Sequence, residues 1–188
     1  MSNEPKLNLS IPGQMTEVEV RALSELASKV PENGVIVEAG SLYGLSSWHW
    51  AQNAHPSVQV HCIDPWERVA WIISLVEAPQ KAPKFGREAW ANHVADCPNV
   101  VPHQGYSPQV CAGWTTPIHV YFDDAVHQNP VLAQNINFWK AHVVSGGHVC
   151  GHDYIGQWPD VIREADKLAA EWGTVVEKAD SFWWVRKP

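Results

Sequence analysis

The sequence predicts an α/β fold: a doubly wound, mostly parallel sheet of seven strands with an antiparallel strand at its C-terminal end. Two observations carry this prediction. Short apolar, β-branched runs alternate with longer segments of helical periodicity, the order that builds a parallel sheet covered on both faces. The last two runs, residues 174–177 and 182–185, are separated only by Lys178-Ala-Asp-Ser181, which suits a hairpin and not a crossover.

The elements follow in chain order. Thr16 with Glu19 three residues later has the spacing of a capping box, and Val20, Leu23, Leu26, Ala27 and Val30 then mark one helical face. Pro31 to Gly34 breaks that helix. Residues 35–39, Val-Ile-Val-Glu-Ala, are the almost unbroken apolar run of a strand buried on both sides. Residues 40–44 turn the chain, 45–54 are helical, and 58–63 form a second strand closed by Asp64-Pro65. Residues 66–87 carry Pro79, Pro83 and Gly86 without clear periodicity and are expected to form an insertion or lid. A helix over 88–95 precedes a short strand at 99–102. A strand at 119–123 is followed by a helix over 130–142, and Gly146-Gly147 is expected to turn the chain into a strand at 148–151. Pro159 fits the first turn of the last helix, which runs to about Trp172.

Composition narrows the classes. A chain of 188 residues with 45% hydrophobic and 18% charged residues has the balance of a globular protein able to bury its own core. No linker or repeat divides it, so residues 1–188 are expected to form a single domain, with an N-terminal segment and helix over 1–30. The longest apolar runs fall far short of the ~20 residues that span a bilayer, which argues against a membrane protein. Residues 1–12 lack a basic stretch followed by an apolar core. Four cysteines without a C-x-x-C pair suit reduced thiols, and a cytoplasmic protein is expected. The net charge of −7, with no Lys/Arg cluster, argues against a nucleic-acid partner. Eleven tryptophans leave room for aromatic pocket walls, with Trp48, Trp66 and Trp158 as candidates, and for a homodimer interface.

In open parallel sheets ligands lie beyond the carboxyl ends of the strands, and three segments converge there. Glu38, Gly40, Ser41 and Gly44 belong to a glycine turn that lets backbone approach a ligand before a helix start. Asp64 ends the next strand, where a carboxylate can accept both hydroxyls of a ribose. Gly105-Tyr-Ser107 follows the third strand, where an adenine edge would lie. Each is common alone as a turn former; their order and spacing together point to an adenosyl cofactor.

With these residues the chain resembles the class I S-adenosylmethionine-dependent methyltransferases, in particular small O-methyltransferase-like members, from about Val35 to the C-terminus. Val37-Glu-Ala-Gly-Ser41 with Gly44 is similar to the group's first motif, and the resemblance implies that Glu38 and Gly40 lie near the methionine part of S-adenosyl-L-methionine. Cys62-Ile-Asp-Pro-Trp66 is similar to its second motif, which implies Asp64 on the ribose and Trp66 beside the cofactor. Gly105-Tyr106-Ser107 resembles the group's G-D-S, with Tyr106 where the acid usually stands. Phe182 to Lys187 resembles its final reversed strand, and a Rossmann-like methyltransferase fold follows.

The reacting end is expected at Asp124, His127, His152 and Asp153, which lie just beyond neighbouring strands. Asp124, His152 and Asp153 can hold a hard divalent cation such as Mg2+, which would bind and acidify a substrate hydroxyl. Without a metal, His127 or His152 can act as general base. The resemblance implies acids at these strand ends in the metal-dependent members, with His152 where many have an acid. The expected reaction is methyl transfer to a hydroxyl of a small molecule.

Two other readings remain open in the sequence. An NAD-dependent oxidoreductase would want G-x-G-x-x-G, and Leu42 stands where the second glycine belongs. A non-catalytic cofactor-binding or interaction protein of the same fold has no evident use for His and Asp gathered at one rim.

Overall fold

A computed structural model of the protein describes residues 4–188. Seven strands form one sheet: β1 (Val35–Ala39), β2 (Gln59–Asp64), β3 (Val100–Gln104), β4 (Ile118–Asp123), β5 (Val143–Gly151), β6 (Glu177–Ala179) and β7 (Phe182–Arg186). Their order is β3-β2-β1-β4-β5-β7-β6. The first five run parallel, and β7 pairs antiparallel with both β5 and β6. The fold class expected from the sequence is therefore the one observed. Sequence order reverses between β1 and β4, so the crevice outside their carboxyl ends is where such a sheet takes a ligand.

Six helices cover the sheet: α1 (Glu17–Ser28), α2 (Leu45–Asn53), α3 (Ala70–Ile72), α4 (Arg87–His93), α5 (Val131–Lys140) and α6 (Pro159–Trp172). Alternation along β1 divides the core. Ile36 packs with Leu23 of α1, Trp50 of α2 and Trp90 of α4 on one face. Val35, Val37 and Ala39 join Trp139 of α5 and Leu168 of α6 on the other. Glu38 points to the first of these faces and is fully buried. All four cysteines are free and buried, and no described helix is long and apolar enough to cross a membrane.

Three features depart furthest from those read in the sequence. β5 begins at Val143 and runs through Gly146-Gly147, which the sequence suggested as a turn. Gly147 is in the strand because a Cβ there would press on the His119 carbonyl oxygen at 2.7 Å, a close approach only glycine permits. The hairpin strand is Glu177–Ala179, not 174–177. Ala179 pairs with Phe182 across the two residues Asp180-Ser181, with Asp180 at φ 51, so the tight turn, and not the β-branched Thr174-Val-Val, sets the register. The expected lid contains regular structure, α3 continuing as a π-helical turn over Ile73–Glu77.

Candidate active site

The loop after β1 is pinned from three sides. Gly40 N–H donates to the Ile63 carbonyl at 2.9 Å, and Asp124 N–H donates to the Ala39 carbonyl at 2.8 Å, which draws the ends of β2, β1 and β4 together. Gly40 and Gly44 sit at φ 89 and 94, a region that favours glycine. Asp64 locks the loop: its Oδ2 accepts from the Ser41 and Leu42 amides at 3.0 Å each, and its Oδ1 accepts from the Trp66 amide at 2.6 Å. Burial raises its pKa, although those three donors favour the charged form. A carboxylate offers about four lone-pair sites, so most of Asp64's accepting capacity is spent on the loop itself.

Next to this lock lie two orphaned polar atoms. Glu38 Oε2 accepts from Ser47 Oγ at 2.5 Å, but Glu38 Oε1 and the hydroxyl of Ser41 have no partner among the described residues. Burial pushes the Glu38 carboxyl up. A small cleft beside them is lined by Gly40, Ser41, Ser46 and Asp124, and on its far side by Gly13 and Met15 of the segment before α1.

The other residues expected around a cofactor have acquired structural partners. Gly105, at φ 148, donates its N–H to the Asp64 carbonyl and so keeps the end of β3 beside the loop. The Ser107 hydroxyl accepts from Trp139 Nε1 at 2.9 Å, which anchors that loop to the core. Trp66 is buried, its ring 4.8 Å from that of Trp90. It packs against the core beneath the loop. Trp48 turns its Nε1 to Asp96. Of the three tryptophans considered as walls, Trp158 is the one at the rim, its ring 4.9 Å from His127.

At that rim the strand ends after β4 and β5 bring all four expected reacting residues together. His127 Nε2 lies 3.3 Å from Asp124 Oδ1 and 3.0 Å from Asp153 Oδ2. His152 Nδ1 lies 3.8 Å from Asp124 Oδ1 and 3.4 Å from Asp153 Oδ2. Asp153 is aimed inward by a backbone at φ 63. One ligand atom from each of Asp124, His152 and Asp153 lies within 4.8 Å of the others, and the donor set of two carboxylates and an imidazole suits a divalent cation.

The electrostatics of the cluster follow from its carboxylates. Burial works against charge on His127, but hydrogen bonds to Asp124 and Asp153 prevail and raise its pKa to about 9. Burial likewise opposes charge on His152, yet Asp124, Asp153 and Glu19 push it up to about 11. The same pairs hold Asp153 well below the usual carboxylate range despite its burial. The carboxylates thus favour the protonated form of both rings, and a divalent cation held by Asp124 and Asp153 would take the place of the His152 Nδ1 proton.

Two members of this network escaped the sequence reading. Glu19, 2% exposed, closes the capping box of α1 and also reaches His152 Nε2 at 3.2 Å. Its other oxygen accepts from the backbone amide and hydroxyl of Ser181, in the β6–β7 turn, at 2.9 and 2.5 Å. Burial opposes its charge, but hydrogen bonds from His152, Ser181 and Thr16 lower its pKa to about 2. The sequence shows only the cap, because nothing local says that the same carboxylate has a second set of partners.

Comparison with known proteins identifies the family and the fold. The model of a methyltransferase domain family matches residues 37–154. No curated protein sequence matches the chain. Among solved structures, the O-methyltransferase TomG from Streptomyces achromogenes, in complex with SAM, superposes with a TM-score of 0.66 at 17% identity, covering 93% of this chain and 82% of its own. A methyltransferase from Geobacter sulfurreducens gives 0.64 at 17%, covering 90% and 78%. An rRNA methylase from Streptococcus thermophilus gives 0.61 at 11%, covering 93% and 99%. At such identities the likeness is one of fold.

Proposed function

The chain belongs to the methyltransferase domain family, and from that premise we propose that it transfers the methyl group of S-adenosylmethionine to an oxygen of a small hydroxylated molecule. The observation that carries this reading is the pair of orphaned atoms, Glu38 Oε1 and Ser41 Oγ, beside the β1–β4 crevice. Buried acceptors without partners are costly, and a ligand ammonium at that point would satisfy both.

When bound, the cofactor supplies a methyl carbon on a positively charged sulfur. The protein supplies position and charge. Glu38 and Ser41 receive the amino-acid end, Gly40 allows the backbone close approach, and Asp64 keeps the loop in its binding shape with any remaining capacity turned to the ribose. Asp124 belongs both to the cleft beside Gly40 and to the charged rim, which makes it the carboxylate suited to take the acceptor's proton. His127, placed between Asp124 and Asp153, holds the two carboxylates in position. Asp124, His152 and Asp153 would hold a divalent cation such as Mg2+, whose contribution would be to bind and acidify the acceptor hydroxyl.

A small acceptor is favoured over nucleic acid by the net charge of −7. The oxidoreductase alternative is opposed by Leu42, which sits at φ 46 where a dinucleotide fingerprint needs glycine. Thermal melting with S-adenosylhomocysteine beside NAD tests the reading. A ligand at a hundredfold excess over its Kd stabilises the native state by ~2.7 kcal/mol. Stabilisation by S-adenosylhomocysteine is expected; stabilisation by NAD alone would overturn it. A panel of hydroxylated acceptors with labelled cofactor, with and without magnesium, then separates an enzyme from a binding protein.

A further inference from the structure

The methyltransferase match covers residues 37–154, yet the charged rim is completed by two residues outside it, Glu19 and Ser181. We propose that Glu19 is a positioning residue for the reaction at that rim: with Ser181 it holds the His152 ring so that Nε2 faces away from the cleft and Nδ1 is the nitrogen offered to Asp124 and Asp153. The inference rests on the proposed reading of the rim as the reacting end.

The hydrogen-bond inventory leads to this assignment. Ser181 Oγ has one proton, and it goes to Glu19 Oε1 at 2.5 Å. The hydroxyl therefore meets His152 Nε2, 3.0 Å away, as an acceptor. Glu19 Oε2, 3.2 Å from the same nitrogen, is also an acceptor. Two acceptors on one ring nitrogen require that it carry the proton. Nδ1 is then the edge turned to the two strand-end carboxylates, 3.8 and 3.4 Å away. A histidine that ligates a metal almost always gives its other N–H to a carboxylate, a backbone carbonyl or water, which fixes ring orientation and raises ligand basicity; here the partner is a carboxylate. His152 and Glu19 are 6% and 2% exposed, so water does not compete for the contact. Glu19 is fixed in turn by Thr16, whose amide donates to its Oε2 at 2.7 Å.

The consequence is that α1, which looks like a mere cover, is part of the working rim. The same helix follows the segment that closes the far side of the cleft at Gly13 and Met15.

Glu19→Gln is the decisive variant, because glutamine still closes a capping box but brings an amide against Ser181 and His152. Thr16→Ala is its counterpart: it removes the hydroxyl that caps α1 and donates to Asp180 Oδ2 at 3.0 Å, but keeps the Thr16 amide on Glu19 and makes no change at His152. In the wild type the His152 Nε2–H should give an imidazole resonance protected from solvent exchange. Glu19→Gln is expected to abolish that resonance and to weaken binding of Mn2+, used alone as probe, by ~10- to 100-fold. Thr16→Ala should lower the melting temperature and leave both readouts in place, and the affinity for S-adenosylhomocysteine should be the same in all three proteins. A protected resonance that survives Glu19→Gln, or readouts that move alike in both variants, would overturn the assignment and leave Glu19 as a cap. Should the wild type bind no Mn2+, the resonance alone decides. Absence of S-adenosylhomocysteine binding in every protein would instead sink the proposed function and leave the His152 result standing.

Discussion

The α-carbon of Gly40 faces the backbone of Asp124 so closely that a side chain at position 40 would overlap the Asp124 carbonyl. The relationship joins the loop after β1 to the loop after β4, across the line where strand order reverses. Gly40→Ala must therefore separate these loops as well as strain a backbone at φ 89. Strain alone costs about 1–3 kcal/mol, and the overlap adds to it. Chemical denaturation should show a loss of at least that size, with binding of S-adenosylhomocysteine lost even where the protein stays folded.

Asp64 offers a second test, because its carboxylate serves the loop as well as the expected ribose. Asp64→Asn keeps one acceptor but sets a donor against amides that are donors themselves. With the Ser41, Leu42 and Trp66 amides all dependent on it, stability should fall by about 1–3 kcal/mol. Cofactor affinity should fall with it. Wild-type stability combined with lost binding would show that Asp64 acts on the ligand alone; the reverse would show a purely structural lock.

The pair of His61 and His103, Nδ1 to Nε2 at 2.9 Å, sets a pH dependence remote from the rim. Burial, with the neighbouring His103, lowers the His61 pKa from 6.5 to about 4, and burial lowers that of His103 as well. The native state thus holds His61 neutral over a range in which the unfolded chain binds a proton. The stability due to this difference is complete above about pH 6.5 and is lost as pH falls towards 4. The slope is ~1.4 kcal/mol per pH unit, or roughly 3 kcal/mol in all as an upper figure. Urea midpoints measured from pH 7 to 4 should fall less steeply for His61→Gln than for the wild type. Parallel curves would mean that the ring is protonated in the fold.

How much of this was legible in the sequence depended on the range of the interaction. The capping box at Thr16 and Glu19 and the apolar run Val35 to Ala39 were readable because their causes lie within a few residues. The strand-end cluster of Asp124, His127, His152 and Asp153 was readable because parallel topology brings such positions to one rim. The partners of Trp66 and Ser107 were not readable, since position after a strand cannot show that Trp90 and Trp139 would engage them. Isolated imidazoles titrate near neutrality, and the carboxylates that raise the pKa values of His127 and His152 gather only in the fold. Glu19's second role needed His152 and Ser181, neither of which is local to it.

The contact between Glu19 and Ser181 spans 162 positions along the chain. Closing so long a loop is entropically unfavourable and is offset only once the intervening sheet has formed. During synthesis residues 19 to 181 must all emerge before the two can meet. The glycine loop and Asp64 are joined by contacts of much shorter range, such as the 23 positions between Ser41 and Asp64. A partly made chain could thus assemble its cofactor loop well before its reacting rim. The orientation of His152 therefore depends on closing the β6–β7 turn against α1, the contact of longest range at the rim.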